Sequence, residues 1–165
     1  MPQFKTGNYL TEEFVTTHLN DVFLFTSNNI VKRIKEKTIE VDHRLVMGAG
    51  AAKAFLNLFP MSDSIFAERI NIIKIYGCFT AKYTNAKLNR PSTIGVFQTK
   101  ENYKDPSNLS LISKSTAMLK TLAINNPHLT YHLNYPGIGL GNLSKEVIYP
   151  IIKDLPDNVI IWELK

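Results

Sequence analysis

The stretch Asp21-Val22-Phe23-Leu24-Phe25-Thr26-Ser27-Asn28-Asn29 decides the fold class. The unbroken apolar run from Val22 to Phe25 leaves no polar face, so a strand made from it must be covered on both sides. Such a strand belongs to a sheet sandwiched between helices. Outward from it, strands and helices alternate. Phe4-Lys5-Thr6 is a short strand stopped at Gly7-Asn8, and residues 41–46 make an extended approach to Gly48-Ala49-Gly50. From there Ala51, Ala54, Phe55 and Leu58 fall at helical spacing until Pro60, and Ile65, Phe66, Arg69 and Ile70 predict a second helix over 62–72. Residues 78–83 and 93–99 read as strands, joined by a polar turn through Asn85, Asn89 and Pro91. Asp105-Pro106 is a helix start, because aspartate caps free amides and proline suits the first helical position. Leu109, Ile112, Leu119, Leu122 and Ala123 carry that helix to Asn125-Asn126-Pro127. A strand over 129–133 leads into Pro136-Gly137-Ile138-Gly139-Leu140-Gly141. A helix capped by Asn142 or Ser144 and a last strand over 159–164 complete the order. The alternation predicts one three-layer α/β/α domain over residues 1–165.

Composition agrees. The 165 residues, 44% hydrophobic and 20% charged, suit one domain with a full core and exclude a disordered tail, a collagen-like fibre or a coiled coil. Cys78 is the lone cysteine, so no intrachain disulfide and no multi-thiolate zinc site can be built. No apolar run approaches the ~20 residues of a membrane span, and Met1-Pro2-Gln3-Phe4-Lys5 lacks a secretory apolar region. These features predict a cytoplasmic domain. Nineteen Lys and Arg against fourteen Asp and Glu give a formal charge of +5, compatible with an anionic ligand. The basic residues are scattered apart from Lys32, Arg33, Lys35 and Lys37, with no basic-aromatic tract of the kind that binds RNA. Nucleic acid is therefore not the expected partner.

Two glycine turns, Gly48-Ala49-Gly50 and Gly137-Ile138-Gly139-Leu140-Gly141, each stand between a strand and a helix. Glycine admits positive φ and removes the Cβ that keeps a phosphate from the amides, and a helix N-terminus adds free N–H groups. Loops in matching positions can clasp a diphosphate; ordinary tight turns are the alternative. Other nucleotide signatures are missing: no P-loop, no third dinucleotide-fold glycine after Gly50, and no G-x-S-x-G elbow. His18, His43, His128 and His132 lack metal-ligand spacing, so neither a metal nor a cofactor is expected.

Thr26-Ser27-Asn28-Asn29, Met47-Gly48-Ala49-Gly50-Ala51-Ala52 and Pro136-Gly137-Ile138-Gly139-Leu140-Gly141 are similar to three signature segments of macrodomains. Met47-Gly48-Ala49-Gly50 resembles the divergent branch that contains the terminal ADP-ribose protein glycohydrolase. Val96-Phe97-Gln98-Thr99-Lys100, Asn134 to Leu143, and Leu155-Pro156-Asp157-Asn158-Val159 look like segments of small bacteriophage-encoded macro-like proteins, which would place the protein in a host cytoplasm. The resemblance runs in element order from Phe4 to Leu164. It implies a mixed, mostly parallel central sheet, an ADP-ribose ligand, and hydrolysis of an ADP-ribosyl bond or of ADP-ribose 1″-phosphate.

Carried over by position, Asn8 replaces the acid that accepts a hydrogen bond from the adenine amino group, and its amide oxygen still accepts. Asn28 matches the asparagine near the distal ribose, with turn formation as its alternative role. Gly48, Ala49, Gly50 and Ala51 would form the first phosphate loop; Gly137, Ile138, Gly139, Leu140, Gly141 and Asn142 would form the second. Lys100 matches the branch's lysine nucleophile, which would attack an anomeric carbon, while a solvated strand-end charge is the other reading. The branch's aspartate after the second loop is here Asn142-Leu143. Asp42-His43 offers an imidazole as general acid or a carboxylate to orient water near the distal ribose, with a surface loop pair as the other reading, and only one of the two can face the site from a strand. Lys53 on the first helical turn is a further phosphate candidate. Two functions follow: a hydrolase acting at the distal ribose, or a reader or sequestering module without chemistry.

Overall fold

A computed structural model describes residues 1–35, 41–84 and 91–165. The expected turn through Asn85 and Asn89 lies outside the described residues, as does Lys37. A six-stranded mixed sheet carries the domain, in the order β1 (Gln3–Thr6), β8 (Val159–Glu163), β7 (Tyr131–Asn134), β2 (Val22–Ser27), β6 (Ser92–Gln98), β5 (Cys78–Tyr83). Every neighbouring pair is parallel except β5 with β6.

Strand β2 shows why its apolar run is unbroken. Phe23 and Phe25 enter one core, with Phe55, Phe59, Phe66 and Val96. Val22 and Leu24 enter the other, with Phe97, Ile112, Leu119 and Ile148. The first core is closed by α1 (Glu12–Thr17), α2 (Gly50–Leu58) and α3 (Ser62–Glu68), the second by α4 (Leu109–Asn125) and α5 (Lys145–Ile152). Both faces of the sheet are covered, as the sequence predicts.

Three local differences have physical causes. Helix α4 begins at Leu109, not at Asp105-Pro106. The Ser107 amide bonds to the Gly141 carbonyl (2.9 Å) and the Asn108 amide to that of Thr99 (2.7 Å), holding this segment extended. Asn108 then caps the helix by accepting from the Leu111 amide at 3.1 Å. The helix expected over 62–72 instead continues beyond α3 as a wider π-helical turn, Arg69–Ile73, which keeps Ile70 buried and turns Ile72 outward. Residues 41–46 are not an isolated approach, because β4 (Val41–Leu45) pairs antiparallel with β3 (Val31–Lys35). Among the described residues no helix is long and apolar enough to cross a membrane.

Candidate functional site

The parallel strands β8, β7, β2 and β6 end at one sheet edge, where α2 starts on one side and the second glycine turn approaches from the other. Crevices at this edge are where open α/β sheets bind ligands. Here a cleft of about 740 Å³ opens. Gly48, Ala49, Gly50 and Ala51 line one wall, and the turn from Gly137 to Gly141 lines the other.

Gly50 takes φ +57 at the first position of α2, and Ala49 before it offers no side-chain cap. The amides of the first helical turn therefore lack a side-chain acceptor, and the dipole there favours an anion. A Cβ on Gly50 would lie 2.9 Å from Leu140 Cδ1, so the two loops meet at that point. In the second loop, Gly137 (φ +79) is wedged 3.0 Å from Ile112 and Ile148, measured from where its Cβ would sit. Gly139 (φ +64) has open space around it, suited to an approaching ligand.

Of the remaining expected site residues, the cleft wall includes Asn28 and Lys100. Asn28 is buried, and its amide is held at both atoms: its Nδ2 donates one hydrogen to the Val46 carbonyl (2.9 Å) and its Oδ1 accepts from the Ile30 amide (2.7 Å), which leaves the second Nδ2 hydrogen for a ligand. It straps the end of β2 to the segment entering the first loop. Lys100, partly exposed after β6, donates from Nζ to the Leu140 carbonyl at 3.4 Å. Asn8, His43 and Asn142 are exposed and do not line the cleft. Asn8 accepts from the Leu10 amide at 2.9 Å, a local turn. His43 stands on β4 opposite Arg33. Asn142 closes the second loop in a left-handed conformation. Lys53 is exposed on α2 and also outside the wall.

The cleft gains residues that the sequence reading missed. Tyr103 stands near the Lys100 end, with the Lys32 ammonium 5.2 Å over its ring; the hydrogen bond and charge of Lys32 hold its phenol below the ordinary value. Ser107 contributes a buried Oγ that has no hydrogen-bond partner, and a Cβ on Gly141 would sit 2.3 Å from it. Trp162 and Glu163 close the opposite end, with Glu163 paired to Lys145. Only their position at the C-terminal edge of the last strand could have flagged the latter two. Among the described residues no three His, Cys, Asp or Glu side chains converge as a metal site.

Neither a family model nor a curated protein sequence matches the chain. Solved structures do. The macrodomain of Mycobacterium tuberculosis DarG is 20% identical with a TM-score of 0.70, over 98% of this chain and 97% of that one. The macrodomain of Thermus aquaticus DarG is 20% identical with a TM-score of 0.66, over 99% and 97%. Thermosipho africanus DarTG in complex with ADP-ribose is 17% identical with a TM-score of 0.69, over 92% of this chain and 39% of that one. At these identities the likeness concerns the fold, and the fold of this chain is that of a macrodomain.

Proposed function

We propose that this chain, with its macrodomain fold, binds ADP-ribose or a close derivative and hydrolyses an ADP-ribosyl bond or a 1″-phosphate at the distal ribose. The observation that carries this reading is the pair of glycine loops facing each other across one cleft, with the uncapped start of α2 in its wall. Backbone amides there would hold the diphosphate. The ADP-ribose complex of the structurally similar DarTG supports the same ligand. In this reading the distal ribose lies toward Asn28 and Lys100, the end that the family resemblance gives it, and the base toward Trp162 on β8. Two strands separate β8 from β6, so those ends lie roughly 14 Å apart at ordinary strand spacing.

In the hydrolytic reading the Lys100 amine attacks the anomeric carbon, the leaving group departs with the bonding electron pair, and the nitrogen gives up a proton to water. Ring opening gives a Schiff base, which water hydrolyses to free the sugar and restore the amine. Loop amides near the departing group would stabilise developing negative charge. A second reading, a non-catalytic reader, is favoured by one observation. Among the described residues lining the cleft the only carboxylate is Glu163, at the end away from Lys100, so the wall offers the lysine no acid on the side where substrate would sit.

Incubation with ADP-ribosylated protein and, separately, with ADP-ribose 1″-phosphate divides the two. Release of ADP-ribose or of phosphate by the wild-type chain supports the hydrolase. Binding without release of either makes it a reader.

A further inference from the structure

Trp162, the only tryptophan in the chain, is tied to two residues that the proposed chemistry does not use. Its indole Nε1–H donates to His132 Nδ1 at 3.1 Å, and His132 Nε2 lies 2.8 Å from Asp21 Oδ2. An indole nitrogen can only donate. Nδ1 is therefore the acceptor, the imidazole is neutral, and its proton sits on Nε2, given to Asp21. The imidazole is 2% exposed. Tyr9 stacks on both rings at 5.9 Å, and Phe14 stands edge-on to Trp162 at 5.6 Å and to His132 at 5.0 Å. On its far side the indole lies against Gly7, where a Cβ would sit only 3.2 Å away.

We propose that His132 is a positioning residue that fixes the Trp162 ring as the wall of the cleft's base end, and that protonating His132 releases this wall and weakens ligand binding. The inference rests on the nucleotide reading of the cleft for its ligand, but not for the clamp itself. An imidazolium carries hydrogen on both nitrogens, so Nδ1 ceases to accept and faces the indole N–H as a second donor. The charged groups around the ring set where this happens. Burial opposes the charge most, Asp21 favours it, and His18 and Lys5 oppose it, leaving the imidazole below its ordinary value. The clamp is thus intact at neutral pH and is lost as pH falls below the ordinary histidine value of about 6.5.

The lone tryptophan makes the test direct. Emission of the ligand-free wild type is followed from pH 8 to pH 5, with circular dichroism as the check on folding. The expected result is a reversible emission change with its midpoint below about 6.5, absent in His132→Asn, whose amide oxygen stands where Nδ1 does and accepts the indole bond without titrating. A flat wild-type emission overturns the clamp. Calorimetry with ADP-ribose at pH 7.5 and 5.5 tests the consequence. Wild-type affinity should fall at the lower pH, toward a limit of about tenfold for the fully protonated imidazole, the usual effect of losing one buried hydrogen bond. In Trp162→Phe, which keeps a ring but has no N–H to give, the fall should vanish. An equal fall in that variant overturns the link to His132. Absence of ADP-ribose binding at pH 7.5 defeats the nucleotide reading and the acid-sensitive binding drawn from it, while the emission titration still decides the clamp.

Discussion

At the β8 end of the cleft Trp162 is bonded to a buried histidine and packed by Tyr9 and Phe14, whereas at the β6 end Lys100 stands partly exposed with one 3.4 Å bond to a loop carbonyl. One end is set before any ligand arrives. The other has a side chain free to move. Preorganised walls limit the ordering that binding requires, while a reacting group has to reach its target atom. Under the proposed function the contrast would put affinity in the loops and the β8 end, and chemistry at the β6 end.

Four single substitutions, one of them with a compensating second change, break or sharpen that contrast. Lys100→Ala should have the largest effect, lowering turnover of an ADP-ribosylated substrate by at least about 100-fold, with the calorimetric affinity for ADP-ribose changed only slightly. Unchanged turnover would rule out the lysine mechanism. Gly50→Val comes next, since a β-branched residue must adopt φ +57 with its Cβ 2.9 Å from Leu140. It should weaken ADP-ribose at least about 30-fold through strain and a filled phosphate site, with the circular dichroism spectrum retained. Affinity equal to wild type would mean that the first loop is not the cradle.

Gly141→Ala forces a Cβ to within 2.3 Å of Ser107 Oγ and should lower unfolding free energy by about 1–3 kcal/mol in urea titrations, the usual range for overpacking. Adding Ser107→Ala removes that hydroxyl, so the double variant should recover much of the loss. Simple additivity would show that the two do not share the space. Asn8→Ala is expected to be smallest, at about 1 kcal/mol of stability from its turn bond to Leu10. A large loss of ADP-ribose affinity in this variant would instead give Asn8 the base-reading role that the family resemblance implies.

Legibility in the sequence tracks how local each signal is. The run from Val22 to Phe25 announced a doubly covered strand because its side chains alternate between two cores. The glycine loops were visible because positive φ and close approach favour glycine, as the φ of Gly50 and Gly137 illustrates. Asp105-Pro106 misled because a capping signal was overridden by distant backbone bonds from Ser107 to Gly141 and from Asn108 to Thr99. Trp162 and His132 are thirty residues apart in sequence and are joined only through strand pairing of β7 with β8. No local pattern encodes such a pair. Of the antiparallel pair β3 and β4, the sequence shows only the second strand, as an extended segment without its partner.

The most direct measurement is a calorimetric titration of the purified chain with ADP-ribose and, separately, with ADP. A cleft that clasps a diphosphate and also reads the distal ribose between Asn28 and Lys100 should bind ADP-ribose clearly more tightly than ADP. Equal affinities would contradict recognition of the distal ribose, and no heat with either ligand would reduce both glycine loops to structural turns.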